Sequence, residues 1–276
     1  MASTDTASVT WASPAVEEKH LVPVVYTMGK VASSSTSTAI LKAGLPCHDI
    51  HTLEPDSLRE TAQSWLARNE FPPPHICVSM AHRDRLLIKR QRCLYITLVR
   101  DPLARNLSAF FQNLDQQNVE IREEQDVMRM FENFQKTYAH STPLSWFDRE
   151  FKGQLGIDVF SRPFDIERRA IHLKSANTII FRVDCPDFQK SQILSRILGR
   201  KIDIQRANDS ENKEYNDLYK RVKQVSVFNH DFVYKMYASK FARHFWTDAE
   251  RNEMARRWMT PQEAEKMVAL PPSFQV

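Results

Sequence analysis

Short unbroken apolar runs alternate along this chain with longer stretches in which apolar residues recur every three or four positions. LVPVVYTM (21–28) is largely β-branched and aromatic and predicts a buried strand. The stretch from Ser33 to Lys42 has helical spacing and meets a stop at Gly44. CHDIHTL (47–53) predicts a short second strand. EPDSLRE opens a helix over 55–69, and FPPP (71–74) breaks it. HICVSM (75–80) reads as another short buried strand, with RDRLLIKR (83–90) as a brief basic helix or turn. CLYITLVR (93–100) gives the clearest strand signal. Asp101 then caps a helix whose first position is Pro102. Helical stretches follow over 119–139 and 142–152, and NTIIFRVD (177–184) is a further strand. Beyond Pro186 the pattern is nearly all helical, over 186–198, 215–226, 229–239 and 247–258.

Strands alternating with helices predict an α/β fold, a central parallel sheet flanked by helices with a helical C-terminal part. Ligands of such sheets sit beyond the carboxyl ends of the strands. Residues 1–20, rich in Ser, Thr and Ala, are expected to form a flexible arm, and 21–276 a single domain. At 42% hydrophobic the chain has ample material for a core. A net charge of +4 is too mild for a protein that coats nucleic acid, but it suits an anionic ligand. Cys47, Cys77, Cys93 and Cys185 are scattered, without the spacing of a zinc site, and the last three lie in or beside apolar runs as buried thiols would. Neither a secretory leader nor a run of the ~18 apolar residues that a membrane span needs is visible, so a cytoplasmic setting is expected.

Candidate chemistry concentrates behind two strands. In VVYTMGKVASSSTSTAI (24–40) the first strand ends at Gly29-Lys30, and six consecutive hydroxyl residues, Ser33 to Thr38, open the next helix. The first-turn N–H groups of a helix have no internal partners, so the hydroxyls and the lysine complete the ingredients of an anion seat. A nucleoside-triphosphate P-loop needs a Ser or Thr directly after its Gly-Lys and an earlier glycine. Here those places hold Val31 and Val24. In YITLVRDPLARNLSAFF, Arg100 ends a strand, and Arg105 and Ser108 share a helix face on which a guanidinium and a hydroxyl could hold a phosphate from two sides.

GKVASSS and RDPLARNLS together resemble the two nucleotide signatures of sulfotransferases that use 3′-phosphoadenylyl sulfate (PAPS). The pattern is especially similar to the branch acting on polysaccharides, in which Ala, here Ala32, can stand in the loop. SWFDREFKGQLGIDVFSRPFD and NDSENKEYNDLY are further similar to a bacterial sulfotransferase-like group of capsular polysaccharide synthesis proteins with an Asn-Lys-Trp-Tyr-Ser signature. Glu214 and Asn216 replace the Trp and the Ser, so roles of those two do not carry over.

The resemblance implies a P-loop-like three-layer sandwich and a PAPS-dependent sulfotransferase without a metal. Its acceptor would be a carbohydrate hydroxyl, on a polysaccharide or glycolipid. Nucleic acid and stable membrane insertion are not expected. Lys30 would stabilise the leaving group. Val31, Ala32, Ser33, Ser34, Ser35 and Thr36 would hold the 5′-phosphate. Arg100 and Ser108 would grip the 3′-phosphate, and Lys213 and Tyr215 would close over the nucleotide. His82, expected just past a strand end, would be the base, with Asp84 in reserve. Arg182 would line the adenine or substrate pocket. Arg83 would meet the acceptor or the nucleotide, and Trp146 and Asp148, with Phe164 and Asp165, would shape the acceptor site. Two alternatives remain open: a kinase-like phosphotransferase, and a non-catalytic module of the same fold that binds anionic glycans or nucleotides.

Overall fold

The computed structural model describes residues 21–89, 92–115, 124–205 and 216–274. The chain runs through β1 (Val22–Tyr26), α1 (Ser33–Lys42), β2 (His48–Ile50), α2 (Pro55–Leu66), α3 (Pro74–Lys89), β3 (Cys93–Val99), α4 (Pro102–Asp115) and α5 (Glu124–Thr137). Next come α6 (Thr142–Trp146), a π-helical segment (Phe147–Lys152), α7 (Gly153–Leu155), β4 (Ala170–Leu173) and β5 (Thr178–Arg182). The remainder is helical: α8 (Asp187–Leu198), α9 (Asn216–Val225), α10 (His230–Tyr237), α11 (Lys240–Phe245), α12 (Asp248–Arg256) and α13 (Pro261–Lys266).

The five strands form one sheet in the order β2-β1-β3-β5-β4. β1 pairs in parallel with β2 and β3, and β3 with β5, while β4 closes the edge antiparallel to β5. Val24 sits opposite both His48 and Tyr95, which fixes the register of the three strands around the site. All seven residues of β3 are buried. Sheets covered on both faces show unbroken apolar runs, whereas half-solvated strands alternate, and this chain shows the runs. α1 lies on one face, tied by the Ser37 hydroxyl to Asp49. On the other face the rings of Tyr26 and Tyr95 meet Phe151, with Trp146 against Tyr26 and His82 against Tyr95. One continuous apolar core runs from Val24 to Met259, with a small separate cluster of Leu58, Ala62 and Ile76 between α2 and α3.

HICVSM is not a strand. It belongs to α3, whose buried positions Ile76, Ser79 and His82 recur every three residues while Cys77 and Met80 are exposed. An apolar run of that length fits either structure, and Pro74 at the helix start decides for the helix. Cys77 is consequently exposed, whereas Cys93 and Cys185 are buried. β4, α11 and α13 are elements that the apolar pattern did not predict. No helix among the described residues is long and apolar enough to cross a membrane.

Candidate phosphate-binding crevice

From the carboxyl end of β1 the chain turns toward β2 on one side, and β3 lies on the other. The loops leaving β1 and β3 therefore diverge, and the crevice between them is the switch point at which open α/β sheets hold ligands. The β1–α1 loop is wound tightly. Gly29, Lys30 and Ala32 all have left-handed backbones, with φ of 73°, 59° and 58°. Such φ values cost a non-glycine residue about 1–2 kcal/mol each. A left-handed turn directs successive N–H groups into a shared concavity that suits an anion. Ala32 is also the N-cap of α1, where it offers no side-chain acceptor, and the first turn carries no acidic residue. The orphan donors of α1 thus have neither a side-chain cap nor a carboxylate before them. This chemistry fits a phosphate or sulfate group.

The hydroxyl run divides. Ser33 is buried and turns toward Asp49, as Ser37 does at 3.2 Å. Burial raises the pKa of the Asp49 carboxyl, a rise that the nearby His51 and these hydroxyls only partly offset. Thr36 is buried as well, so Ser34 and Ser35 are the accessible hydroxyls of the first turn. Val31 is buried in the core, and only its backbone is available to a ligand.

The β3–α4 junction reaches the same loop. Arg100 Nη1 donates to the Lys30 carbonyl at 3.1 Å, so the guanidinium touches the backbone of the β1–α1 loop at one rim of the sheet. Asp101 caps α4, accepting from the N–H groups of Leu103 and Ala104 and from the Tyr237 hydroxyl at 2.9–3.0 Å. Arg105 does not offer its guanidinium to a ligand. It is buried, donating to the carbonyls of Met28 and Gly29, to the Tyr138 hydroxyl and to the Asn106 side chain. It braces the wound loop from behind. Ser108 is half-buried on α4, one helical turn further on.

Sequence reasoning passed over His51, the residue after β2. Its Nδ1 lies 3.1 Å from the Thr27 carbonyl. A carbonyl only accepts, so Nδ1 carries a proton, and the tautomer this bond selects has its lone pair on Nε2. The ring also stands against Gly29, with Nε2 3.9 Å from the point a Cβ there would occupy. His75, at the start of α3, lies 5.4 Å away ring to ring, and burial lowers its pKa. The signal in the sequence was a histidine directly behind a strand end, the argument applied to His82.

His82 itself is elsewhere. It is 3% exposed on the inner face of α3, between His48 at 5.8 Å and Tyr95 at 6.2 Å, over the body of the sheet rather than its carboxyl rim. Its Nε2 has no hydrogen-bond partner, and burial lowers its pKa to about 4. The strand that was to deliver it to the rim is a helix, and the ring turned inward with the rest of that helix's buried face.

Other expected residues also have structural partners. Arg182 is buried and holds Asp184 and Glu250 through paired hydrogen bonds of 2.6–2.9 Å, locking β5 to the start of α12. Both carboxyls are held below their usual range against the penalty of burial. Trp146 is a core residue whose Nε1 donates to the His51 carbonyl at 3.1 Å, so it positions the rim rather than walling a pocket. Asp148 pairs with Lys240 at 3.3 Å on the surface. Arg83 donates to the Leu53 carbonyl and to Gln154. Asp84 is exposed, Phe164 is buried, and Asp165 accepts from the Arg168 N–H. Lys213 and Tyr215 lie outside the described residues.

No curated protein and no solved structure matches the chain. Residues 118–247, a stretch that includes neither the β1–α1 loop nor Arg100, are similar to the family described as "NKWYS: Putative capsular polysaccharide synthesis protein".

Proposed function

We propose that the chain is a transferase acting on carbohydrate, and that it moves a sulfuryl group from PAPS to a sugar hydroxyl. The observation that carries this reading is the 3.1 Å bond from Arg100 to the Lys30 carbonyl, which puts two anion-type loops on one crevice. One loop cradles the 5′-phosphosulfate with the amides of residues 30–36 and the hydroxyls of Ser34 and Ser35. The other presents Arg100, with Ser108 behind it, to the 3′-phosphate. The family similarity of residues 118–247 supports a role in polysaccharide synthesis.

In the reaction the acceptor oxygen bonds to sulfur while the bond from sulfur to the phosphate oxygen breaks, releasing adenosine 3′,5′-bisphosphate. Lys30 and the α1 amides stabilise the charge that grows on the departing phosphate. The acceptor proton goes to Nε2 of His51, which replaces His82 as the base because it stands at the rim with its tautomer set by Thr27. Nucleotide titration in EDTA tests the donor site. Adenosine 3′,5′-bisphosphate binds, and Arg100→Ala weakens it by about tenfold or more, the worth of a charged hydrogen bond, while AMP affinity barely moves. Equal losses for both nucleotides would remove Arg100 from the 3′-phosphate. For His51→Gln, binding persists and turnover is lost; unchanged turnover rejects it as the base.

A further inference from the structure

A second cleft, of about 630 Å³, has a lining that includes no residue of the β1–α1 loop. It lies over the amino ends of the strands, with Cys93 and Tyr95 of β3 on its floor and Asn177, just before β5, at its side. The seven residues of β3 span about 20 Å at 3.3 Å per residue, which separates this cleft from Arg100 at the other end of the strand. α3 supplies one wall through Arg83, and the segment after the π-helix supplies the other through Gln154 and Arg162.

Three features make it a built site. Among the described residues Arg83 is held through Nη1, which donates to the Leu53 carbonyl at 2.8 Å and to Gln154 at 2.9 Å, and the Nε–Nη2 edge of its fork is offered to a ligand. Arg162 adds a second guanidinium at the exposed margin, while Asp158, the one acid of the lining, is already paired with Lys152 at 2.8 Å. The third feature is Tyr95. It is 5% exposed, and beside the Cys93 thiol its hydroxyl has no other hydrogen-bond partner among the described residues. Burial, with the neighbouring Cys93 thiol, raises its pKa, so it stays a neutral donor. A thiol sulfur is only a weak acceptor, so a ligand oxygen would be the better partner for this hydroxyl.

The volume is far larger than an inorganic anion needs. The wall mixes hydroxyl and amide groups, Ser175 and Asn177 among them, with small aliphatic ones such as Ile157 and Ala176. The one aromatic ring of the lining, Tyr95, packs its faces and edges against Tyr26, His82 and Phe151, so it offers no platform for a nucleobase. We propose that this cleft binds an acidic saccharide of one or two rings, its carboxylate between Arg83 and Arg162 and a ring oxygen or hydroxyl on the Tyr95 phenol. The site does not depend on which donor the crevice between β1 and β3 takes.

Calorimetric titration of the whole chain with digalacturonate, maltose and ADP tests it. Digalacturonate binds, and maltose and ADP do not compete. Arg162→Gln, at an exposed position, weakens digalacturonate about tenfold, as loss of a charge-assisted hydrogen bond should. Tyr95→Phe keeps the ring and removes only the hydroxyl, so the fold is kept while binding falls about fivefold. Adenosine 3′,5′-bisphosphate affinity is unchanged in both variants, so this site and the donor site fail or stand separately. No digalacturonate binding, equal binding of maltose, displacement by ADP, or full affinity in both variants overturns the proposal.

Discussion

Arg105→Leu should separate the brace from a ligand more clearly than any other substitution in the protein. The side chain is 7% exposed and donates to four groups: the carbonyls of Met28 and Gly29, the Tyr138 hydroxyl and Asn106. Leucine fills part of the space but leaves two loop carbonyls unpaired. At about 1–3 kcal/mol for each buried group left without a partner, the loss is about 4 kcal/mol. The loop has little reserve against it, because Lys30 and Ala32 already carry left-handed strain of about 1–2 kcal/mol each. The loop should therefore unwind locally before the domain unfolds. Hydrogen exchange of the amides of residues 28–34 reads this directly and should accelerate by two or more orders of magnitude, while β3 stays protected. Adenosine 3′,5′-bisphosphate binding should disappear at temperatures where circular dichroism still reports a folded chain. Arg105→Lys, which can keep one of the carbonyl bonds, should fall in between. If exchange in the loop stays at the wild-type rate while nucleotide affinity collapses, Arg105 touches the phosphate itself and the brace is wrong.

Ala32→Gly removes the strain at φ 58° without touching a donor, so it should raise the melting temperature by the equivalent of up to about 1 kcal/mol and leave nucleotide affinity intact; a fall in stability would refute the strain. His82 and His244 are both held to about 4 by burial, below the unfolded value of about 6.5. The unfolded chain therefore binds more protons between these values. Stability from this source is complete above pH 6.5 and falls as the pH drops toward 4, by up to about 1.4 kcal/mol per pH unit for each histidine. Urea midpoints of His82→Leu should follow a visibly flatter pH curve across that window, and a curve parallel to wild type would refute the assignment. Arg182→Met should cost about 2 kcal/mol, since Asp184 and Glu250 lose their bonds to the buried guanidinium while Arg169 and the Thr247 N–H still serve them, yet leave the nucleotide affinity of the folded fraction unchanged. A selective loss of nucleotide binding would instead return Arg182 to the pocket.

The parallel strands were legible because both faces of the sheet are covered, so β1, β3 and β5 read as unbroken runs bounded by polar turns. The loop after β1 and the junction after β3 were legible for the same reason: once a strand end is located, the polar residues behind it must lie at the rim. HICVSM failed because its length does not separate strand from helix, and that failure carried His82 to the wrong place. His51 was hidden by proximity. A three-residue strand gives little periodicity, so a histidine at its exit did not register as a rim residue. The separate roles of three arginines were unreadable in principle. Arg100, Arg105 and Arg182 all stand near strand ends with the same local chemistry. Only the tertiary partners, a loop carbonyl, an internal brace or two carboxylates, divide them into one ligand candidate and two structural ties.

The segment Thr52–Glu54 shows how the layer over the sheet sets the rim. The Trp146 indole fixes the carbonyl of His51, and Arg83 fixes that of Leu53. Glu150, fully buried in the π-helical segment, accepts from the N–H groups of Leu53 and Glu54 and from the hydroxyls of Thr52 and Tyr26. A buried carboxylate is tolerable only when its lone pairs are filled, and here these four donors and the Arg149 guanidinium fill them. The result joins the end of β1, the exit of β2 and the start of α2 in one knot, with His51 at its edge. π-Helical segments tend to occur at functional sites. In this one, Trp146 immediately before it and Glu150 within it hold the same short stretch of backbone. Residues that look like pocket walls in the sequence therefore work at one remove. They hold the histidine still against Thr27 and Gly29, and the base proposed there would need that rigidity more than another contact with the substrate.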